Sequence, residues 1–130
     1  MTFDAVLIDG NSIPALAIRH VDTMMLMSDG TAGGARGGVR PGDPGMTTSV
    51  SGSVITVTAG VATVPYSGQG IYRAYNPTAW TGNLTAADAT NPRIDLVYLR
   101  IWDNTVDSSG LAKADIVYLA GTPAPSPSPP

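Results

Sequence analysis

Cysteine is absent from the 130 residues and so is glutamate, while Lys113 is the only lysine, Gln69 the only glutamine and His20 the only histidine. Without cysteine there is no disulfide framework, no thiolate metal site and no thiol nucleophile. With no glutamate and one histidine, the side chains that metalloproteases and retaining glycosidases draw on are missing, and only pairs of aspartates remain. No stretch approaches the roughly 18 consecutive apolar residues of a membrane span, so no membrane insertion is expected. The first ten residues lack the basic start of a secretory signal. A soluble protein is expected, made in the cytoplasm and exported by no visible route.

Positive charge is scarce as well. Seven Lys and Arg stand against ten Asp, giving a net charge of -3 and a pI of about 4.7. Arg19, Arg36, Arg40, Arg73, Arg93 and Arg100 read as scattered rather than clustered. No basic field gathers phosphates, so nucleic acid is not an expected partner.

What is present favours strands. The chain is 43% hydrophobic and only 13% charged, which suits one folded domain rather than a disordered tail. Straight-chain helix formers are nearly missing, and Thr, Ser, Val, Gly and Pro take their place. The expected fold is all-β: a small antiparallel β-sandwich or barrel-like domain with at most one short helical turn, preceded by an extended N-terminal arm and a glycine-rich strap. The divisions fall at 1–28 for the arm, 29–45 for the strap, 46–120 for the β domain and 121–130 for a proline-rich linker.

Within the arm, FDAVLID at Phe3–Asp9 reads as a strand ending at the turn signal Gly10-Asn11. Met24, Met25, Leu26 and Met27 fit helix or strand, and either core filling or a surface that meets other subunits. Phe3, Val6, Ile8, Met24, Met25 and Met27 are the candidate assembly residues of this arm. The strap, DGTAGGARGGVRPGDPG, has seven glycines and only Val39 as a sizeable aliphatic. It reads either as a flexible linker or as a strap fixed by a partner.

In the β domain, VITVTAGVATV at Val54–Val64 predicts a hairpin turning at Ala59-Gly60. Another strand covers Gly70–Tyr75. Thr85 followed by Asp88 resembles a helix N-cap, and Pro92 limits any helix there to one turn. RIDLVYLRIW at Arg93–Trp102 is apolar on both faces, which predicts a central strand. DLVYL and DIVYL, at Asp95–Leu99 and Asp115–Leu119, are near copies suited to neighbouring antiparallel strands. The closing GTPAPSPSPP favours an extended polyproline spacer that leads to something further.

Searching the same residues for chemistry yields little. There is no P-loop, and Gly68-Gln69-Gly70 is half a dinucleotide fingerprint leading into a strand. The pairs Asp4/Asp9 and Asp103/Asp107 are best explained as strand-end and turn residues. His20 and Asp22, two apart on an expected strand, lack a nucleophile elbow at Ser12 or Ser28 and read as surface residues. No catalytic residue, cofactor or metal is expected. Tyr66, Tyr72, Tyr75 and Trp80 fall within fifteen positions. Such aromatics stack on sugars, form interface anchors or cap a small core, and core or interface is the favoured reading.

From Val39 to Pro130 the sequence resembles the N-terminal β domain of minor tail proteins and tail fibres of siphophages that infect actinobacteria. The matching pieces are VRPGDPG at Val39–Gly45, the VITVTAGVATV segment, GQGIYRAY at Gly68–Tyr75, LTAADATNPRIDLVYLRIWDN at Leu84–Asn104 and AGTPAPSPSPP at the end. The resemblance implies a virion structural protein at the tail tip or at a fibre attachment point, often a homotrimer, in contact with other phage tail proteins. No catalytic residues come with it. An adhesin module that binds a receptor or a host surface glycan through Tyr66, Tyr72, Tyr75 and Trp80 is the alternative expectation.

Overall fold

The computed structural model describes residues 12–130. Phe3, Val6 and Ile8, and with them the strand expected at Phe3–Asp9, lie outside the described residues. The rest is built mostly of small antiparallel sheets with one short helix, about 13% helix and 36% strand, which is an all-β fold.

Helix α1 spans Ala15–Asp22 and is followed by a single 3-10 turn, Thr23–Met25. His20 and Asp22 therefore sit on a helix, where the sequence suggested a strand. Pro14, extended at φ -66°, cannot sit inside a helix but is well suited to precede one. Its carbonyl accepts from the N–H groups of Ala17 and Ile18. Alanine at 15 and 17 favours the helix, and Arg19 and His20 occupy the last turn, where the helix dipole welcomes positive charge.

Seven strands follow: β1 (Thr48–Ser51), β2 (Val54–Val57), β3 (Gly60–Tyr66), β4 (Gly70–Asn76), β5 (Trp80–Asn83), β6 (Leu96–Asp103) and β7 (Ala112–Leu119). They form three separate ladders, in the orders β1-β2-β5, β3-β4 and β6-β7. Strand β2 lies between β1 and β5, with Ile55 opposite Val50 on one side and Gly82 on the other. The hairpin expected at Ala59-Gly60 is thus absent: β2 and β3 belong to different sheets. Alternation of β-branched residues marked both strands correctly but carries no information about which strand each one pairs with.

The molecule divides into two compact units. One holds the described residues up to Asp43 together with Val61–Tyr75, and the other holds Pro44–Gly60 with Asn76–Pro130. These units cut across the divisions read from the sequence. In the first, the buried residues are Ala17, Ala35, Ala62, Ile71 and Ala74. In the second they are Ile55 and Val57, on the same face of β2.

The glycine-rich strap belongs to the first unit as far as Asp43 and is tied down there. Gly38 and Thr63 form a bridge, each N–H donating to the other's carbonyl at 2.7 and 3.0 Å, and Arg36 N–H donates to the carbonyl of Met27 at 2.8 Å. Backbone hydrogen bonds order this segment where apolar burial could not. α1 is held to the β3-β4 turn by Arg19, whose Nε donates to the Gln69 carbonyl and Nη2 to its side-chain oxygen, both at 2.9 Å. Gly70 has φ +73°, and a Cβ there would come within 2.8 Å of the Arg19 carbonyl. Only glycine suits that contact.

In the second unit, β6 and β7 pair over their whole length from Leu96 opposite Leu119 to Asp103 opposite Ala112. The near-copy strings are indeed neighbours. β6, however, has one partner strand, and none of its residues is buried, so it is not the central buried strand that its composition suggested. The helical turn expected at Thr85–Asp88 does not form: Asp88 Oδ1 instead accepts from the N–H groups of Thr90 and Asn91. A single turn, α2 (Asn104–Asp107), forms in the β6-β7 connection, with Asp103 Oδ1 accepting from Thr105 N–H. The proline-rich end starts as part of this unit, since Gly121 N–H donates to Asp95 Oδ1 and Ala124 N–H to the Pro92 carbonyl.

Candidate functional site

The first unit carries a groove of about 720 Å³. The 3-10 turn and the residues after it contribute Met25, Leu26 and Met27, the strap contributes Arg36 to Pro41, and β3 and β4 contribute Val61 to Thr63 and Arg73 to Tyr75. Three of the six arginines that look scattered in sequence, Arg36, Arg40 and Arg73, meet here. The only sequence signal was the spacing Arg36 and Arg40 on one strap; Arg73 arrives through β4, which no local pattern foretells.

The groove is apolar between these charges. Met25 is 86% exposed and Tyr75 71%, and Met27, Val39 and Val61 are exposed as well. The methionines do not fill a core. Exposed apolar side chains of this size, gathered in one place rather than scattered, mark a binding surface. Arg40 Nη2 lies 3.4 Å from Asp43 Oδ2, and Arg73 Nη2 lies 3.0 Å from Asp22 Oδ2. The guanidinium of Arg36 acts on Asp29 through its charge and forms no hydrogen bond or ion pair with a described residue, while its backbone is fixed from both sides: the N–H by Met27 and the carbonyl by the Thr63 hydroxyl at 3.3 Å.

A second, polar cleft of about 400 Å³ in the same unit is lined by His20, Asp29, Thr31, Tyr66, Ser67 and Gly68, among others. Asp29 Oδ1 accepts from the N–H and hydroxyl of Thr31 at 2.8 and 2.7 Å, and these hydrogen bonds hold its carboxyl below the usual range.

The four aromatics singled out in the sequence do not form one site. Tyr66, exposed at the end of β3, borders the polar cleft, and Tyr75 borders the apolar groove. Tyr72 lies under the guanidinium of Arg19, 4.5 Å from ring centre to Cζ. Trp80 belongs to the other unit, on β5, with its indole over Gly82, where a side chain would strike the ring. Tyr72 and Trp80 are half-buried, while Tyr66 and Tyr75 are exposed. Of the arm's methionines, Met25 and Met27 line the groove, and Met24 is exposed outside its lining.

Asp103 and Asp107 make local turn contacts: Asp107 Oδ1 accepts from the N–H and hydroxyl of Ser109 at 3.0 and 2.6 Å. Asp4 and Asp9 lie outside the described residues. Among the described residues no group of three His, Cys, Asp or Glu is placed to hold a metal ion, and no helix is long and apolar enough to cross a membrane.

Compared with protein-family models, with curated proteins and with solved structures, the chain matches none.

Proposed function

We propose that the chain is an assembly protein of a phage virion, a minor tail protein or fibre-attachment domain that anchors a fibre at the tail tip and acts as a homotrimer. The observation that carries this reading is the β6-β7 ribbon. It pairs Val97, Leu99 and Ile101 with Tyr118, Ile116 and Ala114 on one face, and Leu96, Tyr98 and Trp102 with Leu119, Val117 and Lys113 on the other. None of these residues is buried. A two-stranded ribbon is marginal by itself in water, and apolar side chains on both of its faces are stabilised when a further surface covers them. Identical subunits around a symmetry axis offer such a surface. The resemblance of Val39–Pro130 to tail-protein domains supplies the biological setting: other tail proteins as partners, the virion as location, and no catalysis.

Light scattering on the purified chain, combined with immunogold labelling of virions, tests this. A mass near three times 13.3 kDa with label on the tail is expected. A stable monomer, or label confined elsewhere, overturns it.

The polar cleft supports a second reading, an adhesin module for a host surface glycan. Tyr66 offers a ring for stacking, and Asp29, Thr31 and Ser67 offer hydrogen-bonding groups beside it. Glycan-array binding that disappears in Tyr66→Ala is the expected result for this reading, and an array with no binding excludes it for the glycans displayed.

A further inference from the structure

We propose that the groove between Met25, Tyr75 and the strap is a binding site for a single-chain amphiphile with one negative charge, a long-chain carboxylate. This goes beyond the assembly role and does not depend on it.

The groove's volume of about 720 Å³ falls within the range of small-molecule sites, roughly 300–1,000 Å³. Its apolar part sets the unbranched Met25 and Met27 and the ring of Tyr75 beside the branched Leu26, Val39 and Val61, and Met25, Met27 and Tyr75 are the most exposed of these. Methionine adapts its flexible thioether to an irregular or flexible hydrocarbon, so the surface suits an alkyl chain better than a rigid ring system.

Charge selects the head group. Arg40 and Arg73 are each already paired with a carboxylate, Asp43 and Asp22, whereas the guanidinium of Arg36 acts on Asp29 through its charge alone and makes no hydrogen bond or ion pair with a described residue. A guanidinium fork with no hydrogen-bond partner matches the two oxygens of a single carboxylate. The two backbone hydrogen bonds on Arg36 hold its Cα in place, so the head-group contact does not require ordering the strap first.

Calorimetric titration of the full chain with dodecanoate, below its micellar concentration, tests the site against dodecanol and dodecyltrimethylammonium as probes. One dodecanoate per chain is expected, with dodecanol and the cation weaker by about tenfold or more, the scale of a charge-assisted hydrogen bond. Arg36→Ala is expected to weaken dodecanoate about tenfold, and Arg36→Lys less, whereas Arg100→Ala in the other unit leaves it unchanged. Met25→Ser, at an exposed position, is expected to weaken all three probes. Equal affinity for dodecanoate and dodecanol, retention of dodecanoate affinity in both Arg36→Ala and Met25→Ser, or no binding at all overturns the proposal. A monomeric chain that still binds dodecanoate overturns the assembly role alone.

Discussion

The hydroxyl of Tyr118 on β7 donates to Oδ2 of Asp95, just ahead of β6, at 2.8 Å. The same hydroxyl accepts from Thr85 N–H at 3.1 Å, while the other oxygen of Asp95 accepts from Arg93 Nε at 2.8 Å and Gly121 N–H at 2.9 Å. Arg93 also donates to the carbonyls of Ala86 and Thr85. One carboxylate thereby joins the loop before β6, the end of β7 and the start of the proline-rich segment. This explains why an extended stretch with few apolar residues keeps a fixed course.

The Arg93 side chain first, then the Gly121 N–H and the Tyr118 hydroxyl, hold the Asp95 carboxyl at about 2. A folded-state pKa below the ordinary value of 3.8 contributes stability that is present above pH 4 and lost as the pH falls towards 2. Asp95→Asn should therefore melt below the wild type at pH 7, and the gap should close between pH 4 and pH 2. Melting curves across that window check this; a gap that stays constant with pH contradicts it.

Tyr118→Phe removes the donor to Asp95 and the acceptor for Thr85 N–H without changing the ring. The loop from Thr85 to Arg93 should then exchange its amide hydrogens faster, with the Thr85 amide most affected, while the β2 amides keep their protection. Hydrogen exchange read residue by residue decides it.

Gly60 is not a positive-φ turn residue; it is a site of close backbone approach. A Cβ there would come within 2.8 Å of Met46 N and 2.9 Å of Gly45 Cα, neither of which is a movable side chain. Gly60→Ala should destabilise by about 1–3 kcal/mol, as overpacking does. Gly52 tests the other cause: its φ is +59° and a Cβ would meet nothing, so Gly52→Ala should cost about 1–2 kcal/mol through backbone strain alone. Denaturation midpoints unchanged in both would contradict the two assignments.

Ile55 is 1% exposed in the β1-β2-β5 sheet, whereas Leu99 on the ribbon is only half-buried. In isolated chains Ile55→Ala should cost about 2–5 kcal/mol and Leu99→Ala about 1–2 kcal/mol, since less surface leaves water at the second site. If the ribbon is covered by other subunits, the Leu99→Ala cost should rise with protein concentration. Urea denaturation at two concentrations separates these contributions.

Composition alone determined that this chain would be built from strands, because threonine, valine, glycine and proline disfavour helices wherever they stand. Local strings also placed β4, β6 and β7, the last two as neighbours through their near-identical sequences. α1 escaped notice because Ile18, His20 and Val21 suit a strand as well as a helix, and the packing of Arg19 on Gln69 and Tyr72 is not encoded nearby. Only the tertiary structure decided which strands pair, since alternation has the same period whatever the partner. It also decided that Arg36, Arg40 and Arg73 share one groove with Met25 and Tyr75. Charges far apart in sequence attract no attention until backbone hydrogen bonds, Gly38 to Thr63 above all, bring the strap beside β3, the neighbour of the strand that carries Arg73.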